Sequence, residues 1–172
     1  MSLDIIRNYL AYNPETGVFT WIKRPQSHGG SVMVGDIAGW CRSDGYRGIS
    51  FRGKLYLAHR LGWWFTHGEW PPAQLDHKNR SPGENNIRNL RAASPAENQH
   101  NRGLNKNNTS GFKGVSFHKR SRKWRADIMA GRKTMALGIF NSKKAAALAY
   151  DAAAIKLHGK FATLNFPEDT RV

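Results

Sequence analysis

The spacing of apolar positions changes several times along the chain, and each change marks a new element. Leu3, Ile6 and Leu10 recur at helical spacing at the start. Asn13-Pro14-Glu15-Thr16-Gly17 reads as a turn, and Val18 to Trp21 as a strand. Gly29-Gly30 begins a loop. Tyr46 to Phe51 and Leu55 to Leu57 flank Arg52-Gly53-Lys54, the pattern of a hairpin. His59 to Trp70 fits a helix with Leu61, Trp64 and Phe65 on one face, ended by Pro71-Pro72. Trp63, Trp64 and Trp70 are expected in the core. Leu75-Asp76-His77 is a short strand, followed by a loop rich in Asn, Gly and Pro, and Ile87 to Arg91 forms a second one. Ser94-Pro95-Ala96-Glu97 is a helix start, with Ser at the N-cap, Pro at the first position and Glu three residues after the Ser.

Asn101 to Gly111 lacks periodicity and is rich in Asn, Gly and Ser, so it reads as a linker. Beyond it, Gly114 to His118 is a strand and Lys119 to Lys123 a basic turn. Trp124 to Ile128 alternates apolar and polar residues, as a half-buried strand does. Thr134 to Phe140 is a third strand. Ser142 caps a helix that runs to about His158 and stops at Gly159. Its stripe of Ala145, Leu148, Ala149, Ala152 and Ile155 is expected to face the sheet. The fold class is therefore α+β. A module covering 1–102, with a β-rich N-terminal extension, precedes a linker at 103–111. Residues 112–168 then form a three-stranded antiparallel sheet packed on one helix.

The chain has 172 residues, enough for one ordinary domain or two small ones. A hydrophobic content of 40 % excludes wholesale disorder. No stretch approaches the ~18 consecutive apolar residues of a membrane span. The opening MSLDIIRNYL lacks the form of a secretory signal, so a cytoplasmic protein is expected. A single cysteine, Cys41, excludes an internal disulfide and a Cys-rich zinc site. The net charge is +15. Such a balance points to nucleic acid as the partner; an anionic membrane surface would call for an amphipathic basic helix, which is not apparent. No protein partner is implied. The charge is uneven. Residues 1–105 carry 13 basic and 8 acidic side chains, whereas 106–172 carry 14 and 4. The second part reads as a gripping module, the first as one with a less purely electrostatic task.

The candidate chemistry of the first part is an ordered series: Asp76-His77, Asn85-Asn86, Asn89-Leu90-Arg91, then Asn98 and Asn101. Phosphodiester hydrolysis needs a base for water and a cation to neutralise charge at the leaving oxygen. His77, at the end of a short strand, titrates near neutrality and can serve as that base. Asp76 points to the other side of the strand, toward a metal. Asn98, one turn into the following helix, offers a neutral carbonyl oxygen. Two such oxygens suit a hard cation, Mg²⁺ or alternatively Mn²⁺, with water and phosphate completing the shell.

The series resembles the HNH endonuclease pattern in the His-Asn-Asn variant of phage and intron homing endonucleases. The matching residues are Leu75-Asp76-His77-Lys78, Asn85-Asn86, Asn89-Leu90-Arg91, Ser94 and Glu97-Asn98. Upstream, Ala58-His59-Arg60-Leu61 and Tyr12-Asn13-Pro14-Glu15-Thr16-Gly17 look alike too. The resemblance implies a ββα-metal motif. It also implies His77 as general base, Asp76 and Asn98 as metal ligands, and Asn89 as the residue that ties the loop to the His77 strand and holds the imidazole. His59 is read as a structural hydrogen-bonding residue, with a role in the site as the other reading. His100 is left as a candidate phosphate contact.

In the second part, alternation puts Lys123, Arg125 and Asp127 on one strand face and Trp124, Ala126 and Ile128 on the other. With Lys113, His118, Lys119, Arg120, Arg122, Arg132 and Lys133, these form a basic surface of a width that suits the DNA major groove. The module resembles the plant Apetala/ethylene-response-factor DNA-binding domain. The match rests on Ser110 to Val115, Lys123 to Ile128, Leu137 to Phe140, Ala145 to Ala153, Gly159 and Leu164-Asn165-Phe166. Ser116, Met129 and Ala136 stand where the plant pattern has base-contacting Arg and Trp. Together the two resemblances imply a Mg²⁺-dependent endonuclease acting on double-stranded DNA. The competing reading is a non-catalytic DNA-binding regulator in which the first module has only a structural role.

Overall fold

The structure is a computed structural model that describes residues 4–25, 32–71 and 73–167. Leu3, His28, Gly29-Gly30 and Pro72 lie outside the described residues. The chain divides into two compact units, Met1–Ser94 and Pro95–Val172. The helix that begins at Pro95 therefore groups with the second unit.

The first unit holds α1 (Asp4–Arg7), β1 (Leu10–Tyr12), β2 (Phe19–Trp21), β3 (Trp40–Cys41), β4 (Arg47–Phe51), β5 (Lys54–Leu57), α2 (Ala58–His67), β6 (Gln74–His77) and β7 (Leu90–Ala93). Leu10 does not extend the first helix. It opens β1 and pairs with Trp21 across an antiparallel hairpin. β3, β4 and β5 form an antiparallel sheet in that order. The turn from β4 to β5 places Arg52 and Gly53 at positive φ, 50° and 74°, as a two-residue hairpin turn requires. β3 was not legible in the sequence, being only two residues long and exposed.

α2 ends at His67, where Gly68 adopts a left-handed cap and donates its N–H to the Trp64 carbonyl. Trp70 thus lies beyond the helix and 37 % exposed, with the Arg60 guanidinium 5.2 Å from its ring centre. Trp64 is buried as expected, and Trp63 is half-buried. Ile6, Leu10, Phe19, Trp21, Ile49, Phe51, Leu61 and Trp64 bring α1, the hairpin, the sheet and α2 into one core. The strand expected from Ile87 begins only at Leu90. Ile87–Asn89 is a 3₁₀ turn capped by the Asn86 side chain, which accepts from the Asn89 N–H.

The second unit holds α3 (Pro95–His100), β8 (Val115–His118), β9 (Lys123–Ala130), β10 (Lys133–Phe140) and α4 (Lys143–His158). The sheet is antiparallel in the order β10-β9-β8. Ser142 caps α4 by accepting the Ala145 N–H at 3.1 Å. The sheet contributes Val115, Ala126 and Ile128 to the interior. The face of α4 that meets them is not the expected one. Ala146, Ala147, Tyr150, Asp151, Ala154 and His158 are buried. Ala145, Leu148, Ala152 and Ile155 are exposed. The helix is apolar on nearly every side, so hydrophobicity alone does not orient it. Hydrogen bonding does. Asp151 accepts the N–H groups of Asn165 and Phe166, both at 2.8 Å, and so ties the C-terminal segment to the helix. Gly114 completes the fit: a Cβ there would lie 2.0 Å from the Tyr150 ring.

Candidate functional site

β6 carries Asp76 and His77 into the first unit, each about 95 % buried. Register pairs Asp76 with Arg91 and His77 with Leu90. Asp76 Oδ2 accepts from Arg91 Nε at 2.7 Å and lies 2.6 Å from Arg91 Nη2. The carboxylate is thus oriented by a close ion pair.

His77 Nε2 lies 3.1 Å from Asn85 Oδ1. The amide of Asn85 is oriented in turn, because its Nδ2 donates to the Gly83 carbonyl at 3.2 Å. An amide oxygen only accepts, so His77 Nε2 carries the hydrogen and Nδ1 the lone pair. Burial pushes the His77 imidazole below its ordinary value, an effect opposed by the Asn85 bond and the charges of Asp76 and Glu84. The ring is held neutral near neutral pH, the form a base requires.

Asn89 secures the loop between the strands. Its Nδ2 donates to Glu84 O at 2.8 Å and to Asn79 Oδ1 at 2.9 Å, and its Oδ1 accepts the Asn79 N–H at 3.1 Å. Its carbonyl accepts the Lys78 N–H at 2.8 Å, directly beyond His77. These bonds close the loop between β6 and β7. The His77 imidazole donates to Asn85, to which the sequence pattern assigned no task. Asn85 is 1 % exposed, and such burial of an amide within a loop signals a fixed internal partner.

His59 belongs to the same cluster. Its ring centre lies 5.2 Å from that of His77 and 5.1 Å from that of Tyr46. Burial, then the neighbouring His77 and Arg60, pushes it down to about 3, so it is a neutral aromatic wall. Asn98 lies on α3 in the second unit. His100, on the same helix, stacks its ring on His158 with centres 3.7 Å apart. Among the described residues, no group of three or more His, Cys, Asp or Glu could hold a metal ion. The Asp76 carboxylate is a hard oxygen donor, the kind that suits Mg²⁺.

In the second unit, the cross-strand rows place Ser116, Arg125 and Ile139 side by side, Asp127 beside Ala136 and Met129 beside Thr134. This is the face turned away from α4, with Arg125 and Asp127 on it as expected. Arg125 is ion-paired there, its Nη2 2.7 Å from Asp127 Oδ1. Met129 and Ile139 leave the face half-apolar, 50 % and 49 % exposed. The other basic residues divide between two ends. His118, Lys119, Arg120, Arg122 and Lys123 surround the turn from β8 to β9. His118 Nδ1 lies 2.8 Å from Ser121 Oγ in that turn. Arg132 and Lys133 lie at the far end of β9, roughly 25 Å away at ~3.4 Å per residue. Lys113 stands apart: its ammonium donates to the carbonyls of His100 and Arg102 at 2.6 and 2.5 Å.

Comparison with known proteins agrees with both halves of this description. Residues 56–100 match the HNH endonuclease family model, and residues 110–160 match the AP2 domain model. The chain therefore combines an HNH endonuclease domain with an AP2 domain. Over 58 residues it is 43 % identical to APETALA2-like protein 2 of Oryza sativa subsp. indica, covering 34 % of this chain and 13 % of that protein. It is 45 % identical over 58 residues to an ethylene-responsive transcription factor of Arabidopsis thaliana, covering 33 % of this chain and 32 % of the relative. It is 36 % identical over 78 residues to Protein 3.8 of Escherichia phage T7, covering 45 % of this chain and 64 % of that protein. The chain thus spans a small part of the plant relatives and under two thirds of the phage one. Among the described residues, no helix is long and apolar enough to cross a membrane.

Proposed function

We propose that the chain is a metal-dependent DNA endonuclease of the homing type, whose HNH module hydrolyses the phosphodiester and whose AP2 module grips the duplex. The observation that carries the reading is the fixed, buried His77 within the stretch that matches the HNH endonuclease model. In this reading His77 Nδ1 takes the proton of the attacking water. Asn89 keeps the loop closed behind it. The order of the motif names Asp76 and Asn98, both within the matched stretch, as the residues that would hold Mg²⁺. Their joint role rests on the order of residues in the motif. The bound ion supplies charge neutralisation at the phosphate and the leaving oxygen. Exposed Lys119, Arg120, Arg122 and Lys123 at one end of the sheet, and Arg132 and Lys133 at the other, meet phosphates; Arg125 and its neighbours on the open face meet the groove.

Incubating supercoiled plasmid DNA with the protein, Mg²⁺ and then EDTA tests the reading. Divalent-dependent nicking or linearisation that is lost in His77→Ala is the expected outcome. Tight DNA binding with no cleavage at any divalent ion would favour the regulator that the names of the plant relatives bring to mind.

A further inference from the structure

The turn before β2 lies against the stretch of backbone that holds the His77 ring. Tyr12 Oη donates to the Asn85 carbonyl at 2.7 Å. The Ile87 N–H donates to the Pro14 carbonyl at 2.9 Å. Between these two bonds, Gly17 adopts φ +74°, and a Cβ there would lie 2.2 Å from both the Asn85 carbonyl carbon and the Asn86 nitrogen. Only glycine permits both that conformation and that approach. The turn is rigid in itself: Asn13 Oδ1 accepts the N–H groups of Glu15 and Thr16 at 2.9 and 3.2 Å, and its carbonyl accepts the Gly17 N–H at 2.8 Å. Tyr12 is backed by Gly62 of α2, where a Cβ would come within 2.9 Å of the phenol ring.

We infer that the Tyr12–Gly17 turn and Asn85 form a positioning relay that fixes the tautomer and aim of the His77 imidazole. Asn85 is the positioning residue at the ring, and the turn holds Asn85. The chain of contacts runs from Gly62 through Tyr12 to the Asn85 backbone, then through the Asn85 amide to His77 Nε2. Tyr12 and Gly17 touch no reacting group; they act through Asn85. The inference rests on the reading of His77 as the base. It adds an N-terminal segment outside the matched stretch of 56–100 to the determinants of cleavage.

The test uses the full chain with two readouts. Steady-state cleavage of plasmid DNA with Mg²⁺ separates kcat from KM. Long-range ¹H–¹⁵N correlation of the histidine rings, with His77→Gln to assign the signal, reports which ring nitrogen carries the hydrogen. Asn85→Ala and Gly17→Ala are expected to lower kcat by about 10–100-fold, the cost of a misplaced catalytic group, with KM within about twofold. The His77 ring is expected as the Nε2–H form in the parent protein and as a mixture of tautomers in both variants. Tyr12→Phe, which keeps the ring and removes one bond, covers the case in which Gly17→Ala does not fold; it is expected to show a smaller loss of kcat, about 3–10-fold, again at constant KM. Folded Asn85→Ala and Tyr12→Phe proteins with parental kcat and the parental Nε2–H form would overturn the relay. If the parent protein cleaves no DNA, the nuclease reading fails. The ring spectrum then decides the relay alone: loss of the Nε2–H form in Asn85→Ala supports it, and persistence overturns it.

Discussion

The two units place their polar chemistry in opposite environments. In Met1–Ser94 the candidate site residues His59, Asp76, His77, Asn85 and Asn89 are all buried. In Pro95–Val172 the candidate phosphate contacts Lys119, Arg120, Arg122, Lys123, Arg132 and Lys133 are all exposed. The difference follows from what each kind of chemistry requires. A base must sit in one place with one tautomer, and burial with full hydrogen bonding achieves both. A phosphate contact needs charge within reach, and an exposed Lys or Arg on a turn supplies it without desolvation cost. The first unit therefore commits its polar groups to one another. The second keeps them available to a partner.

The largest expected effect lies in the first unit. His77→Ala should lower the cleavage rate by about 10²–10⁴-fold, the usual contribution of a general base, with DNA affinity near the parental value. Parallel measurements of single-turnover cleavage and fluorescence anisotropy would show the split. A parental rate in this variant would remove His77 from the mechanism.

Asp76→Ala and Asn98→Ala come next. Asp76→Ala should be the more severe, because it removes a charge and leaves the Arg91 guanidinium without the carboxylate 2.6 Å away. Loss of one partner of such a buried pair costs about 3 kcal/mol of stability. A Mg²⁺ and Mn²⁺ titration should therefore rescue Asn98→Ala and not Asp76→Ala. Equal rescue of both would mean that Asp76 is not the charged ligand.

The order of the site residues along the chain was legible in the sequence, and the contacts between them were not. Asp76, His77, Asn85 and Asn89 could be named from their motif. Which Asn holds the imidazole depends on the Asn85 amide being turned inward by Gly83, and no periodicity reports that. The sheet of the second unit was legible because Trp124, Ala126 and Ile128 alternate with polar residues, and a period of two fixes the buried face. The orientation of α4 was not, because alanines surround it and the deciding contact is Asp151 with the backbone of Asn165 and Phe166. The end of α1 is hidden in the sequence for a related reason. Leu10 satisfies a helical spacing from Ile6 and a strand pairing with Trp21 equally well, and the tertiary contact decides.

Smaller effects should come from the second unit, and they sharpen the contrast. Replacing Lys119, Arg120, Arg122 and Lys123 together by Ala should weaken binding to every DNA sequence alike. The slope of log affinity against log salt should fall by about 0.9 for each phosphate that the variant no longer neutralises. An unchanged slope would place the duplex away from the turn between β8 and β9. Within the open face, Arg125→Ala should weaken a preferred site more than random DNA, by about 1–3 kcal/mol if the guanidinium reads a guanine. Asp127→Asn should have a smaller effect of opposite sign on overall affinity, because it releases Arg125 from its ion pair. Competition binding against random DNA measures both. No change in either variant would mean that another face of the sheet meets DNA.

The central claim is that His77, buried in the first unit, serves the divalent-dependent hydrolysis of DNA. Its most direct test is supercoiled plasmid incubated with the full chain at low salt, with Mg²⁺ and with EDTA, followed on a gel over time. The account predicts nicked or linear product with Mg²⁺, none with EDTA, and product at least about 10²-fold slower with His77→Ala and Mg²⁺. Equal cleavage with EDTA, or intact plasmid with every divalent ion at concentrations where the protein is fully bound to DNA, would contradict it.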